Sequence, residues 1–150
     1  MKRRSDRERA STATLRVWTL SEAQAAAPFL ASIVRSIREH AQESLTQRRK
    51  LRRLTDKPGR PTRSDLIAQQ EAEHAAQQAE DQFRDAVAEL QALDIYCLDP
   101  VQGLALVPFI REEQLAWFIF DLFDSSPFRF WRFQSDPEET RRHTNTLRRS

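Results

Sequence analysis

The first half of the chain places apolar side chains at the spacing of two amphipathic helices. Thr19 and Glu22 match a capping box, which predicts the start of the first helix. Pro28 lies inside the apolar stripe and removes a backbone donor, so we expect a kink or a restart at residues 25–28. The stripe consists of Phe29, Leu30, Ile33, Val34, Ile37, Ala41 and Leu45.

A breaker segment at residues 56–63 separates this helix from a second one, which Thr62 or Ser64 can cap. The apolar positions of the second helix alternate in steps of four and three, the heptad spacing typical of a coiled coil. Alanine fills four of the seven positions, so a partner helix can approach closely. The seam consists of Ala72, Ala76, Ala79, Phe83, Ala86, Leu90 and Leu93.

After Leu93 the apolar pattern changes to strand-like segments, which predict an antiparallel meander. The predicted strands are residues 94–98, 104–110, 115–123 and 128–133, and residues 15–19 predict a further short edge strand. The fold class is therefore α+β, with a long antiparallel helical hairpin packed on a small antiparallel sheet. We predict a single domain at 15–135, with the hairpin at 20–93 and the sheet at 94–134, between a disordered basic tail at 1–14 and a frayed charged tail at 136–150.

Eight of the thirteen aromatic residues lie between Trp117 and Phe133. Strand alternation puts Trp117, Ile119 and Phe123 on one face and Phe118, Phe120 and Leu122 on the other, so both faces are apolar. One helical hairpin covers only one of them. The other face is either covered by the N-terminal strand or free for self-association, and we favour self-association.

The preferred functional hypothesis is therefore a non-catalytic protein-interaction module that forms homodimers or larger homo-oligomers. The alternation argues against base stacking on a nucleic-acid-binding sheet. The residues expected to make the contacts are Trp117, Phe118, Phe120, Phe128, Phe130 and Trp131.

The net charge is only +2, but the charges are segregated along the chain. Residues 48–63 carry eight basic side chains and one acidic, and residues 64–93 carry seven acidic and one basic. A second hypothesis is nucleic-acid or other anion binding through the basic tip of the hairpin. The alternative is pairing within the hairpin to Asp65, Glu71 and Glu73. The candidate basic residues are Arg48, Arg49, Lys50, Arg52 and Arg53.

A third hypothesis is a small metal-dependent enzyme. Glu71 and His74 have the Glu-x-x-His spacing used by carboxylate-bridged di-iron bundles, and His40 and Glu43 fall at a similar level on the first helix. His74 is off the seam, which favours a solvated histidine over a ligand. We therefore predict no metal site, no catalytic residues and no cofactor, because phosphate-binding glycine loops, catalytic triads and zinc-spaced cysteines do not occur in the sequence.

Cys97 is the single cysteine, which excludes an internal disulfide and suggests a reducing compartment. It lies in an apolar strand, where an inert buried thiol is the expectation. The N-terminus has no apolar signal-peptide core, and the longest apolar runs are too short to span a bilayer. These features predict a cytoplasmic protein of bacterial type without a membrane span.

Three short motifs give the chain a resemblance to a known family. They are VWTLSEA at residues 17–23 with Pro28 following, GLALVP at residues 103–108, and the Phe130-Trp131 step near the end of the last strand. Together they resemble the domain of unknown function 2203, a family of uncharacterised bacterial proteins, over about residues 15–135. The resemblance implies the fold and adds almost nothing about activity.

The chain departs from that family's pattern at three places. Leu106 stands where the family usually has aspartate, Asp124-Ser125 stands where it has Gly-Glu, and Arg132 stands where it has histidine. The chain therefore resembles a divergent member. If those family residues form a polar or metal site, this chain has lost it.

Overall fold

The computed structural model describes residues 15–149, in which two long helices pack together beside a five-stranded antiparallel sheet. Helix α1 spans Leu20–Thr55 and helix α2 spans Arg63–Gln91. The predicted α+β fold is thereby confirmed, while the basic tail predicted at 1–14 lies outside the described residues. In spatial order the strands are β1 Tyr96–Asp99, β2 Leu104–Arg111, β3 Gln114–Asp121, β4 Phe130–Phe133 and β5 Arg142–His143.

Both helices begin with a capping box. In α1 the Thr19 hydroxyl accepts from the Glu22 amide at 3.1 Å, and the Glu22 carboxylate accepts from the Thr19 amide at 2.9 Å. Thr62 and Asp65 repeat the arrangement in α2. Two otherwise unsatisfied donors are paired at each helix start, which is why these residues fix the two boundaries.

Helix α1 runs through Pro28 without interruption, so of the predicted kink or restart the restart does not occur. A proline removes only one helical donor, and the apolar face that follows it is well packed. Leu30, Val34 and Ile37 are buried against the rest of the molecule. Their burial holds the helix together across the missing hydrogen bond, while the Pro28 ring is exposed.

The predicted seam of α2 faces α1. Ala72, Ala79, Ala86 and Leu90 are buried, and Phe83 is half-buried. One ion pair within the described residues joins the two helices, Arg48 to Glu80 at 3.2 Å. Small seam residues let the two backbones approach closely, and each of them buries little apolar area.

One face of the sheet packs on the helices and forms the core. This inner face carries the even-numbered residues of β3 and the odd-numbered residues of β2. At its centre the rings of Phe109 and Phe118 stack, with centroids 3.8 Å apart and planes 4° from parallel. Trp131 of β4 meets Phe109 edge-on at 5.6 Å. The aromatic-rich segment is therefore the main anchor of the core.

Residues 15–19 do not form the predicted edge strand. One backbone hydrogen bond, from the Trp18 amide to the Pro108 carbonyl at 2.8 Å, joins the segment to β2. The Trp18 side chain is 6% exposed and belongs to the core. Thr19 caps helix α1 directly after Trp18, so the chain turns into the helix before residues 15–19 can form further strand hydrogen bonds with β2.

The segment after Ser135, predicted to be frayed, is folded. It returns to the sheet as β5, and the 3₁₀ helix Thr144–Arg149 follows. Thr144 is 8% exposed, and its hydroxyl donates to the carbonyl oxygens of Phe128 and Arg129 at 2.8 and 3.0 Å. The many arginines of this segment led us to predict a frayed tail. A two-residue strand of polar side chains can still pair with a sheet edge, and the sequence shows no apolar run that would mark it.

Candidate interaction surfaces

The outer sheet face is the side of the sheet that faces away from the helices. Strand register aligns Tyr96, Leu106, Ile119, Phe130 and His143 in one row across all five strands. None of these residues belongs to the buried cluster that joins the helices to the sheet. The outer sheet face comprises Tyr96, Leu104, Leu106, Pro108, Ile110, Leu115, Trp117, Ile119, Phe130, Arg132 and His143.

Exposure on the outer sheet face rises from the centre to the sides. Leu106 and Ile119 are 3% and 4% exposed, whereas Tyr96 and Ile110 are 58% and 54% exposed. Phe130 is half-buried, with the His143 ring edge-on to it at 5.5 Å. The face thus combines an apolar floor with aromatic and aliphatic side chains that remain open to solvent.

The residues predicted to make contacts divide between the two faces. Phe118, Phe120, Phe128 and Trp131 are each 3% exposed or less and lie in the core of the single chain. Trp117 and Phe130 lie on the outer sheet face and are half-buried. Alternation separated the two sets correctly in β3, but it could not tell which set meets the helices. Tyr96 and Ile110 were missed because only the strand register places Tyr96 in the row that ends near Phe130 and Ile110 diagonally across from Trp117.

An open trough of about 450 Å³ lies at one end of the outer sheet face. Arg129 donates two hydrogen bonds to Asp124 at its rim, both at 2.8 Å. This pairing, together with the Ser126 amide, lowers the pKa of Asp124 to about 2. The trough is lined by Gln102, Leu104, Ile119, Asp121, Phe123, Asp124, Pro127, Arg129, Phe130 and Arg141.

Arg132 is a buried cation on the outer sheet face. It is 6% exposed and lies opposite Trp117 in the register of β3 and β4. Its Nη1 donates to the Phe133 carbonyl at 3.2 Å, while its Nε has no partner within the described residues. The Trp117 indole donates to the Gln134 side-chain oxygen nearby. A buried donor without a partner weakens the fold, so Arg132 is a local weak point.

The five candidate basic residues lie near the C-terminal end of α1, close to the hairpin tip. Arg48 is the one of the five candidates with an ion pair in the described part of the chain, to Glu80. Asp65 binds Lys57 at 2.9 Å instead of the arginine run. Its pKa is lowered to about 2 by the Thr62 backbone and the Lys57 side chain. Four basic side chains remain exposed without an ion pair: Arg49, Lys50, Arg52 and Arg53.

The four metal-ligand candidates do not form a ligand set. His40 is half-buried, and Glu43, Glu71 and His74 are exposed. Across residues 15–149, no group of three or more histidine, cysteine, aspartate or glutamate side chains lies close enough to hold a metal ion.

Cys97 is half-buried in β1 and has no disulfide partner. Burial, and next the neighbouring charge of Asp99, raise the pKa of its thiol. A raised pKa keeps the thiol protonated near neutral pH, which makes it a poor nucleophile.

A family model matches most of the chain. Residues 16–121 match the family described as uncharacterized conserved protein DUF2203. The chain belongs to the DUF2203 family. The match contains the first two sequence motifs, and the Phe130-Trp131 motif lies beyond it. No curated protein and no solved structure matches the chain.

Of the three predicted departures from the DUF2203 pattern, Leu106 lies within the matched residues 16–121, in the central row of the outer sheet face. Arg132, opposite Trp117, and Asp124-Ser125, in the turn before β4, lie beyond the match. Among the described helices of this DUF2203 protein, none is long and apolar enough to cross a membrane.

Proposed function

We propose that this DUF2203 protein is a non-catalytic interaction module that self-associates through the outer sheet face. One observation supports the proposal above all. On the side of the sheet away from the helices, exposed Tyr96 and Ile110 flank an apolar floor whose central members, Leu106 and Ile119, are 3% and 4% exposed. Tyr96 and Ile110 are more than half exposed on that side. Exposed apolar patches of this kind mark interaction sites, and tyrosine and tryptophan are enriched in interface cores.

The dimensions of the face suit a second copy of the chain. The two central strands have eight residues each and the other three have four, four and two, which gives the face a projected area of about 400 Å². An area of this size fits a small interface, below the roughly 800 Å² per partner of a standard one. In a dimer with a two-fold axis through the face, both subunits use the same patch, so the chain needs no second complementary surface.

The other routes to self-association are less favourable. The edge strands β1 and β5 have four and two residues, so they offer short ladders to a partner strand. The heptad seam of α2 is already buried within the chain at Ala72, Ala79 and Ala86. An intermolecular coiled coil would have to displace α1. Face-to-face packing of two sheets, about 10 Å apart, requires no rearrangement.

The test compares two charge insertions by light scattering and analytical ultracentrifugation. Tyr96→Lys puts a charge on the outer sheet face, and Leu66→Lys puts one at a similarly exposed site on α2, where exposures are 58% and 53%. We expect a wild-type dimer that Tyr96→Lys converts to monomer and Leu66→Lys leaves intact. A wild-type chain that stays monomeric up to millimolar concentration would overturn the proposal, as would a dimer broken by Leu66→Lys alone.

A further inference from the structure

A second surface of the molecule, far from the sheet, carries a charge pattern that the interaction module does not use. We infer that the tip of the helical hairpin binds the phosphate backbone of a double-stranded nucleic acid. The basic tip is defined by six exposed side chains: Arg49, Lys50, Arg52, Arg53, Arg60 and Arg63.

The side chains of the basic tip form no ion pairs with other parts of the described chain. Arg48 and Lys57 are the two basic residues of the segment 48–63 that form ion pairs in the described structure, with Glu80 at 3.2 Å and Asp65 at 2.9 Å. The six side chains of the tip have none. Asp56 is the single acidic residue in that segment of the sequence. The tip therefore keeps a strong positive potential, which attracts polyanions and speeds their association.

The basic side chains also share one direction. At 100° per residue, Arg49, Lys50, Arg52 and Arg53 fall within an arc of about 160° on α1. Leu51 and Leu54 point the other way and are half-buried, and Gln69 of α2 donates to the Leu54 carbonyl at 3.1 Å. The arginine face is thus the solvent face of a helix whose opposite side is held against α2.

Three acidic residues of α2 lie close to this surface. Asp65 is paired with Lys57 at 2.9 Å. Glu71 and Glu73 are exposed, and because Gln69 reaches the Leu54 carbonyl they lie at about the level of residues 50–52 of α1. Neither makes an ion pair within the described residues, so they lower the positive potential there without pairing with the basic tip.

The composition of the tip selects among anionic partners. Arginine guanidinium groups match phosphate oxygens with two parallel hydrogen bonds. Residues 48–66 contain no aromatic side chain, so the tip offers no stacking platform for unpaired bases. Two packed helices are together broader than the roughly 12 Å major groove, so base edges stay out of reach. These features fit contacts to the duplex backbone, without sequence preference.

The test measures binding of the full chain to a labelled DNA duplex of about 24 base pairs by fluorescence anisotropy at several salt concentrations. With three to five phosphate contacts, we expect the affinity to fall about 40- to 500-fold between 50 and 200 mM salt. The triple variant Arg49→Gln/Arg52→Gln/Arg53→Gln should reduce the slope of log K against log salt by about 2.7. Helix content from circular dichroism checks that the variant is folded.

Arg35→Gln is the matched control. Arg35 is an exposed arginine on the same helix, 14 residues and about 21 Å from Arg49, and it makes no ion pair in the described structure. We expect this variant to bind the duplex as the wild type does. Absence of binding at 50 mM salt, binding that salt does not weaken, or an equal loss in Arg35→Gln would overturn the inference. Binding to anionic phospholipid vesicles with none to the duplex would overturn it as well.

Discussion

The indole Nε1 of Trp18 donates a hydrogen bond to the backbone carbonyl of Leu93, 3.3 Å away. This contact joins the segment just before α1 to the segment just after α2, 75 positions apart. The Trp18 amide bonds to β2 at the same time. A single residue thus links the two open ends of the helical hairpin to each other and to the sheet, while the closed end extends away from it.

Trp18→Ala should therefore destabilise the whole domain. Trp18 is 6% exposed, and loss of a buried tryptophan costs about 3–5 kcal/mol of unfolding free energy. Trp18→Phe keeps most of the packing and loses the bond to Leu93, for about 1 kcal/mol. Urea unfolding followed by circular dichroism measures both. A loss below 1 kcal/mol for Trp18→Ala would show that the two ends are held by other contacts.

The helices could be predicted because their signals are local in the sequence. The arrangement of the sheet was harder to predict because it depends on contacts between distant segments. Thr19 carries its capping box in four adjacent residues, so the start of α1 follows from the sequence alone, whereas the sequence left Thr62 and Ser64 both open as the cap of α2. Strand alternation likewise separated Trp117 from Phe118. The inner position of Phe118 depends on contacts with helix residues far along the chain. β5 is two residues long, and its position depends on Thr144 and Asp136, which no periodic pattern marks.

The two candidate surfaces differ in how far the sequence predicts them, because one is contiguous in sequence and the other is not. The basic tip is contiguous in sequence, so Arg49 and Arg53 could be named before any fold was known. The outer sheet face is assembled from five strands. Tyr96 joins it only through the register of β1 on β2, where it pairs with Leu106.

Arg132 offers a test of the buried cation on the outer sheet face. Its Nε is buried without a partner, so replacement by an apolar side chain of similar length removes a desolvation cost. Arg132→Met should change the unfolding free energy by no more than about 1 kcal/mol, with stabilisation the expected direction. Arg132→Ala leaves a cavity and should cost about 2 kcal/mol. Thermal unfolding compares the two, and a larger loss for methionine than for alanine would contradict the prediction.

The ion pair that returns the C-terminal segment to the sheet should titrate in acid. Asp136 accepts from Arg142 at 2.8 and 2.9 Å and from the Phe133 amide at 2.9 Å. Arg142 first, and then the Phe133 amide, lower the pKa of Asp136 from 3.8 to about 2. The folded form thus binds this proton less readily than the unfolded form. The stabilisation is present above about pH 4 and disappears as the pH falls toward 2.

Carbon-detected NMR of the Asp136 carboxyl group measures this pKa directly. We expect a midpoint near 2 in the wild type and a higher midpoint in Arg142→Gln, because the guanidinium that contributes most to the lowered pKa is removed. Glu138→Gln removes an exposed charge from the same loop and serves as the control. An Asp136 midpoint near 3.8 in the wild type would mean that the pair does not persist in solution.

Gly103 should tolerate no side chain, in contrast to Gly59. Both have positive φ, +70° at Gly103 and +93° at Gly59. A Cβ at Gly103 would lie 2.8 Å from the Leu122 Cβ, whereas one at Gly59 would meet nothing within 4 Å. Gly59→Ala should cost about 1–2 kcal/mol from the backbone alone, and Gly103→Ala about 2–4 kcal/mol. Equal losses in urea unfolding would show that Leu122 moves aside freely.

The turn between β2 and β3 stores strain that two substitutions should release. Glu112 and Glu113 have φ of 53° and 62°, the left-handed region in which most side chains are disfavoured. A two-residue hairpin loop with both residues in this region prefers Asn-Gly. Glu112→Asn with Glu113→Gly should therefore raise the unfolding free energy by about 1 kcal/mol. Chemical unfolding at unchanged m-value measures the gain, and Glu138→Gly, in another exposed loop, controls for loss of a charge. Because this hairpin joins the two longest strands, a loss of stability instead would mean that the glutamates make contacts that outweigh their backbone strain.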